Sequence, residues 1–150
     1  MLKLMKISTK GRYAVRLMLD IALNEDRGSV SIKEAADRQG ISLKYLEQIV
    51  NMLTKAEFLQ SRRGSKGGYQ LTRCPEEYTI ADILRVTEGE LAPVACLKDE
   101  INRCPRVGQC PTIKLWKGLY DTVNDYLEGV TIADIMNQDK SFTDGADCPI

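Results

Sequence analysis

The stretch Arg62-Arg63-Gly64-Ser65-Lys66-Gly67-Gly68-Tyr69 decides how this chain is read. Three cations and three glycines crowd a segment that must turn tightly. The flanks Phe58-Leu59-Gln60-Ser61 and Tyr69-Gln70-Leu71-Thr72 read as short strands, so the turn closes a β-hairpin with a loop longer than the commonest two-residue type. Just upstream, Ile41-Ser42-Leu43-Lys44-Tyr45-Leu46-Glu47-Gln48-Ile49-Val50 has helical periodicity. Its inward residues are Leu43, Leu46, Ile49, Val50 and Leu53. Its outward face shows Lys44, Tyr45, Gln48 and Asn51. Before it, Ser31-Ile32-Lys33-Glu34 has the capping-box pattern, and the helix it opens, with Ile32, Ala35 and Ala36 inward, stops at Gly40. Two helices joined by a short glycine turn form a helix-turn-helix, and a basic hairpin after the second helix makes it winged. Such a unit suits DNA: the helix enters the major groove while the cationic turn reaches phosphates or the minor groove.

Working outward, the rest also reads as mostly helix. Ser8-Thr9 caps a first helix with Ala14, Val15, Met18, Leu19, Ala22 and Leu23 at helical spacing. Cys74-Pro75 ends the hairpin unit, and Thr79-Ile80-Ala81-Asp82-Ile83 opens a further helix with Val86 on its stripe. Residues 89–111 hold three prolines and three cysteines, so regular structure is not expected there. Thr112 to Glu128 forms a long helix with two apolar stripes, Ile113, Trp116, Tyr120, Val123 and Leu127 on one and Leu115, Leu119 and Tyr126 on the other. A helix apolar on two sides needs two partners, and a second copy of the chain is the expected one, with Trp116, Leu119, Tyr120 and Val123 shared. Thr131-Ile132-Ala133-Asp134-Ile135 repeats residues 79–83; it is read as a reused helix start, not a structural repeat. The fold class expected is mainly α with a small β-hairpin wing: a winged helix-turn-helix plus a long C-terminal dimerisation helix. The expected divisions are a DNA-binding unit at 1–75, a linking helix and cysteine loop at 76–111, dimerisation helices at 112–136 and a disordered tail at 137–150.

Composition sharpens this. The chain has no formal net charge, yet residues 1–75 carry 14 Lys and Arg against 7 Asp and Glu, and residues 76–150 carry the reverse. The first half is the part that attracts a polyanion. No apolar run approaches the ~20 residues a membrane span needs. The N-terminus lacks a signal-peptide pattern, so a cytoplasmic protein is expected. Histidine is absent, which removes the commonest general base, and Gly64-Ser65-Lys66-Gly67-Gly68 is too short for a phosphate-binding loop. No enzymatic activity is expected.

Cys96, Cys104 and Cys110 share one loop at C-x7-C-x5-C spacing. Thiolates bind soft metals and iron–sulfur clusters, and wide spacing lets a loop wrap a cluster. The close pairs of zinc fingers are missing. Buried apolar cysteines and redox-active thiols are the alternatives. Cys74, beside Pro75, reads as structural.

Three motifs in order, Ser8-Thr9-Lys10-Gly11-Arg12-Tyr13-Ala14-Val15, Gln39-Gly40-Ile41-Ser42-Leu43-Lys44-Tyr45-Leu46-Glu47-Gln48 and Arg63-Gly64-Ser65-Lys66-Gly67-Gly68-Tyr69, resemble the IscR family of bacterial iron–sulfur cluster regulators. The resemblance runs from about Met5 to Met136. It implies a homodimeric winged-helix repressor or activator on a palindromic operator. It also implies that Cys96, Cys104 and Cys110 ligate an iron–sulfur cluster, [2Fe–2S] in kind. The family's histidine position holds Ile113 here, so Asp99, Glu100, Cys148 or a partner-chain residue are the candidates for the fourth ligand. On this reading Ser42, Lys44 and Tyr45 face the major groove, with Gln48 suited to adenine and Glu47 to cytosine. Arg62, Arg63, Ser65 and Lys66 make the wing contacts. A regulator of the same fold without a cluster, responding through its thiols or a partner protein to redox or cysteine metabolism, is the alternative.

Overall fold

The computed structural model of the chain describes residues 6–142. Helix α1 (Thr9–Asn24) is capped by Ser8, whose hydroxyl accepts from the Gly11 N–H at 3.2 Å. It touches α2 (Ile32–Gln39), α3 (Leu43–Lys55), α4 (Ile80–Glu88) and α6 (Ile132–Phe142), so it is the central helix of the bundle. This explains why its buried face, Ala14, Leu17, Met18, Ile21 and Ala22, is broader than the expected stripe. Val15 and Leu19 pack at its edge, and Leu23 is exposed instead of inward.

Helix α2 ends at Gly40, which takes the left-handed conformation (φ 64°) and donates its N–H to the Ala36 carbonyl. That φ favours glycine because a side chain there meets the backbone. The capping box expected at Ser31 does not form: Ser31 makes no side-chain cap bond. Ser42 does cap α3, accepting from the Tyr45 N–H at 3.3 Å. Leu46, Ile49, Val50 and Leu53 are buried as expected, but Leu43, in the exposed first turn, is not. Helix α3 ends in paired bonds, Glu57 N–H to Thr54 O and Phe58 N–H to Leu53 O, with Glu57 at φ 61°. This is the Schellman arrangement, with glutamate where glycine is usual.

The hairpin pairs β1 (Leu59–Arg62) with β2 (Gly68–Leu71) antiparallel, Leu59 opposite Leu71 and Arg62 opposite Gly68. Both strands sit one residue nearer the turn than their periodicity suggests, because residue 58 closes the α3 cap and Thr72 begins the turn toward Tyr78. Val30 and Tyr69 exchange both backbone bonds at 2.9 and 2.8 Å, fastening the hairpin to the chain just before α2.

The two Thr-Ile-Ala-Asp-Ile segments, read as a reused helix start, are also spatial partners. Thr79 and Thr131 pair across an antiparallel bridge, Ile80 N–H bonding Val130 O and Ile132 N–H bonding Tyr78 O. Each threonine hydroxyl accepts from the aspartate N–H three residues on, so each copy also starts its own helix, α4 and α6. Ile80, Ile83 and Ile132 are all buried in the core. Helix α6 runs to Phe142, so the first residues of the expected disordered tail are helical; the remainder, with Cys148, lies outside the described residues.

Helix α5 (Ile113–Glu128) lies against α4, fixed by Arg85, which bonds the Asn124 side chain and pairs with Glu128. Its stripe of Ile113, Trp116, Tyr120 and Val123 is half-buried. Leu115 (62% exposed), Leu119 and Tyr126 (70%) face outward. Between α4 and α5 the chain makes only short 3-10 turns at Ala95–Leu97 and Val107–Gln109, as its prolines suggest. No helix among the described residues is long and apolar enough to cross a membrane.

Candidate nucleic-acid interface and cysteine loop

Ser42, Lys44, Glu47 and Gln48 all reach solvent from the first turns of α3. Ser42 also has a structural duty, since its oxygen caps the helix, which leaves its hydroxyl hydrogen free to donate outward. Tyr45 differs from the expectation. Its ring is half-buried and stands edge-on to Tyr13 of α1, centroids 5.8 Å apart at 81°. Only its outer end is available.

At the wing, Arg62, Arg63, Ser65 and Lys66 are all exposed. The turn is set by backbone: Gly64 has φ 125°, and Gly67 donates to Gly64 O at 3.0 Å. A Cβ on Gly67 would sit 2.6 Å from the Arg62 carbonyl. Among the described residues, Lys44, Arg62, Arg63 and Lys66 have no salt-bridge partner; the four ion pairs involve other cations. Unpaired exposed cations keep their full attraction for phosphate.

The fold also supplies a residue that sequence reasoning missed. Tyr78 is fully buried, and its hydroxyl accepts from Thr72 N–H (3.0 Å) and Arg73 N–H (2.9 Å) and donates to Phe58 O (3.0 Å). It anchors both hairpin ends to the chain just before α4. Its partners lie 5, 6 and 20 residues away, beyond any local pattern.

Cys96, Cys104 and Cys110 are half-exposed free thiols in the α4–α5 loop. Cys104 donates its N–H to Asn102 Oδ1, and the Cys110 sulfur lies 3.6 Å from the Thr112 hydroxyl. That hydroxyl, helped by backbone N–H groups of Thr112 and Ile113 at the start of α5, holds the Cys110 thiol below its ordinary pKa. In kind, three thiols suit an iron–sulfur cluster. In placement they do not yet: among the described residues no three Cys, Asp or Glu groups gather where a metal could be held. Asp99 and Glu100 instead line a shallow cleft with Glu90, Lys117 and Tyr120. Cys74 is exposed at the N-cap of the turn Pro75–Glu77, its N–H bonded to the Glu77 carboxylate.

Comparison with known proteins agrees with this geometry. Residues 7–138 match the Rrf2 family, described as an iron-dependent transcriptional regulator. Protein rrf2 of Nitratidesulfovibrio vulgaris is 42% identical over 137 residues, covering 88% of this chain and 87% of that one. Two solved structures are similar along nearly their whole length. CymR, the global cysteine regulator of B. subtilis, has a TM-score of 0.74 at 35% identity, covering 92% of this chain and 98% of that chain. T. potens IscR has a TM-score of 0.73 at 36% identity, covering 95% and 93%. The family model and CymR are both described as regulators, and the chain belongs to the Rrf2 family of DNA-binding transcription regulators.

Proposed function

We propose that this regulator grips a palindromic operator as a homodimer and tunes that grip through an iron–sulfur cluster, [2Fe–2S] in kind, held by Cys96, Cys104 and Cys110. Residues 1–75 are the reading unit, with Ser42, Lys44, Tyr45, Glu47 and Gln48 toward base edges and Arg62, Arg63, Ser65 and Lys66 toward the minor groove and phosphates. Residues 112–136 join the two copies and set half-site spacing. A protein that binds DNA and carries no membrane helix among its described residues works in the cytoplasm in this reading. The observation that carries the sensing role is the confinement of three free, accessible thiols to the one irregular loop between the reading unit and the outward-facing α5. The family's description as iron-dependent supports it. When bound, a cluster supplies a redox-active centre; Cys74, in a separate turn beside the hairpin, has no part in it.

Anaerobic purification with iron and sulfide analysis tests this. The wild type should be coloured, and Cys96→Ala, Cys104→Ala and Cys110→Ala should each lose the visible absorption, because three ligands hold one core. Equal absorption in wild type and Cys104→Ala removes the cluster from the mechanism. The dispersed donors and the likeness to CymR favour a second reading, a clusterless regulator acting through its thiols or a partner protein. It predicts protein free of iron and sulfide whose DNA affinity changes on reversible oxidation of the loop.

A further inference from the structure

Helix α1 carries an ordered chain of side chains that ends on the recognition helix. Tyr13, Arg16 and Asp20, spaced three and four residues apart, share one face of α1. Asp20 is nearly inaccessible (4% exposed), and both of its carboxylate oxygens are engaged. Oδ1 accepts from Arg38 Nε and from Gln39 Nε2, each at 3.0 Å, and Oδ2 accepts from Arg38 at 2.7 Å. This fixes the Gln39 amide with its oxygen outward, where it accepts from Arg16 Nε at 2.9 Å. The Gln39 backbone carbonyl accepts from the same guanidinium at 2.7 Å. Arg16, so held, lies 5.3 Å over the Tyr13 ring, and Tyr13 meets Tyr45 edge-on.

The inner part of this chain is a clamp between α1 and α2. The outer part reaches beyond the clamp: Arg16, exposed, also bonds Gln39 across the two helices, and Tyr13 and Tyr45 sit at the edge of the core. Among the described residues no group bonds the Tyr45 hydroxyl, so the series stops at an open phenol on the face of α3. We propose that Tyr13 and Arg16 are positioning residues for DNA readout, which hold the Tyr45 ring in one orientation so that it meets a defined base step. The physical gain is preorganisation: a ring already fixed loses no rotamer freedom on binding, and its angle selects one base edge over another. Aromatic edge-to-face and cation–π contacts have the directionality this needs. The inference rests on the reading above, in which α3 enters the major groove.

The test starts from a random-sequence duplex library enriched on the wild-type protein. Affinities are then measured for the enriched duplex, each of its single-base variants and a random duplex. Tyr45→Ala should lose about tenfold of the discrimination at one base step. Tyr13→Ala should flatten the same step severalfold, leave random-duplex affinity and the salt slope unchanged, and add nothing in combination with Tyr45→Ala. Tyr13→Phe should keep the discrimination. Arg16→Met, a change at an exposed side chain, should weaken discrimination at that step alone, and it serves if Tyr13→Ala fails to fold. Equal losses on enriched and random duplexes for Tyr13→Ala mean a structural role and overturn the proposal. So does an unchanged base pattern in Arg16→Met, or a salt slope reduced by about one, which marks a phosphate contact instead. If Tyr45→Ala itself changes nothing, the placement of α3 in the groove has failed, and the inference with it.

Discussion

The Tyr78 hydroxyl is one atom that satisfies three backbone groups, and it illustrates what single residues decide in this fold. Tyr78→Phe keeps the ring, its edge-on contact with Phe58 at 5.4 Å and the Arg73 guanidinium 5.0 Å from its centre. It leaves the Arg73 N–H without a partner, while Thr72 N–H and the Phe58 carbonyl keep only their weaker bond to each other and the Thr72 hydroxyl. The expected cost is about 1–3 kcal/mol, read as a lower urea midpoint at unchanged slope; a midpoint equal to wild type shows that water replaces the hydroxyl. Gly68 decides the wing. A Cβ there would overlap the Val30 carbonyl and come 2.9 Å from Ser31 N, at the point where the hairpin is fastened. Gly68→Ala should therefore loosen the wing first: proteolysis within 62–68 should accelerate and DNA affinity should drop more than core stability. Wild-type affinity in this variant would mean that wing docking does not matter to binding. Gly68 was legible as a turn residue, but its reason, the approach of Val30, needed the fold. Tyr78 gave no local signal because its partners come from two other elements.

At the scale of elements, periodicity located α1 to α5, the repeated segment at 131–135 located the start of α6, and capping residues located most of the starts: Ser8, Ser42 and Thr79 all cap as their side chains suggest. What periodicity misjudged was which face goes inward where an element has several neighbours. Helix α1 is contacted by four helices, so Leu17 and Ile21 are buried although the apparent stripe passes beside them. Repetition in sequence likewise could not reveal that the segments at 79–83 and 131–135 pair, since a β-bridge links residues that composition does not connect. Helix α5 shows both sides of this. Two apolar stripes were visible, but of the residues expected to be shared, Trp116, Leu119, Tyr120 and Val123, all but Leu119 are half-covered by the chain's own elements. The outward one is Leu115, Leu119 and Tyr126. If a second copy covers it, Leu115→Asp with Leu119→Asp places unpaired charges in an apolar interface and should weaken dimerisation about 100-fold or more. Sedimentation equilibrium reads this directly, with far-UV dichroism confirming that α5 stays helical. A wild type that is monomeric at micromolar concentration would refute the dimer.

Over the whole molecule, zero net charge conceals two opposite halves, and the fold turns that asymmetry into a direction. The excess of seven cations in residues 1–75 could be counted directly. Which of them are free could not: Arg38 is used on Asp20 and Arg16 on Gln39, whereas Lys44, Arg62, Arg63 and Lys66 stand exposed without acidic partners among the described residues. The cysteine site was legible only as a shared loop, because gathering donors depends on whatever closes the loop and not on spacing. The free cations make a quantitative prediction. Binding should weaken steeply with salt despite the neutral chain, since each neutralised phosphate contributes about 0.9 to the slope of log affinity against log salt. Lys66→Ala should lower that slope by about one and weaken all sequences alike, as a phosphate contact does. Arg63→Ala should cost about 1–3 kcal/mol on the preferred duplex and less on random DNA, as a groove contact does. Reversed behaviour exchanges the two roles. An Arg62→Ala, Arg63→Ala double variant with wild-type affinity and slope would take the wing out of the interface, leaving α3 to account for the whole of the attraction.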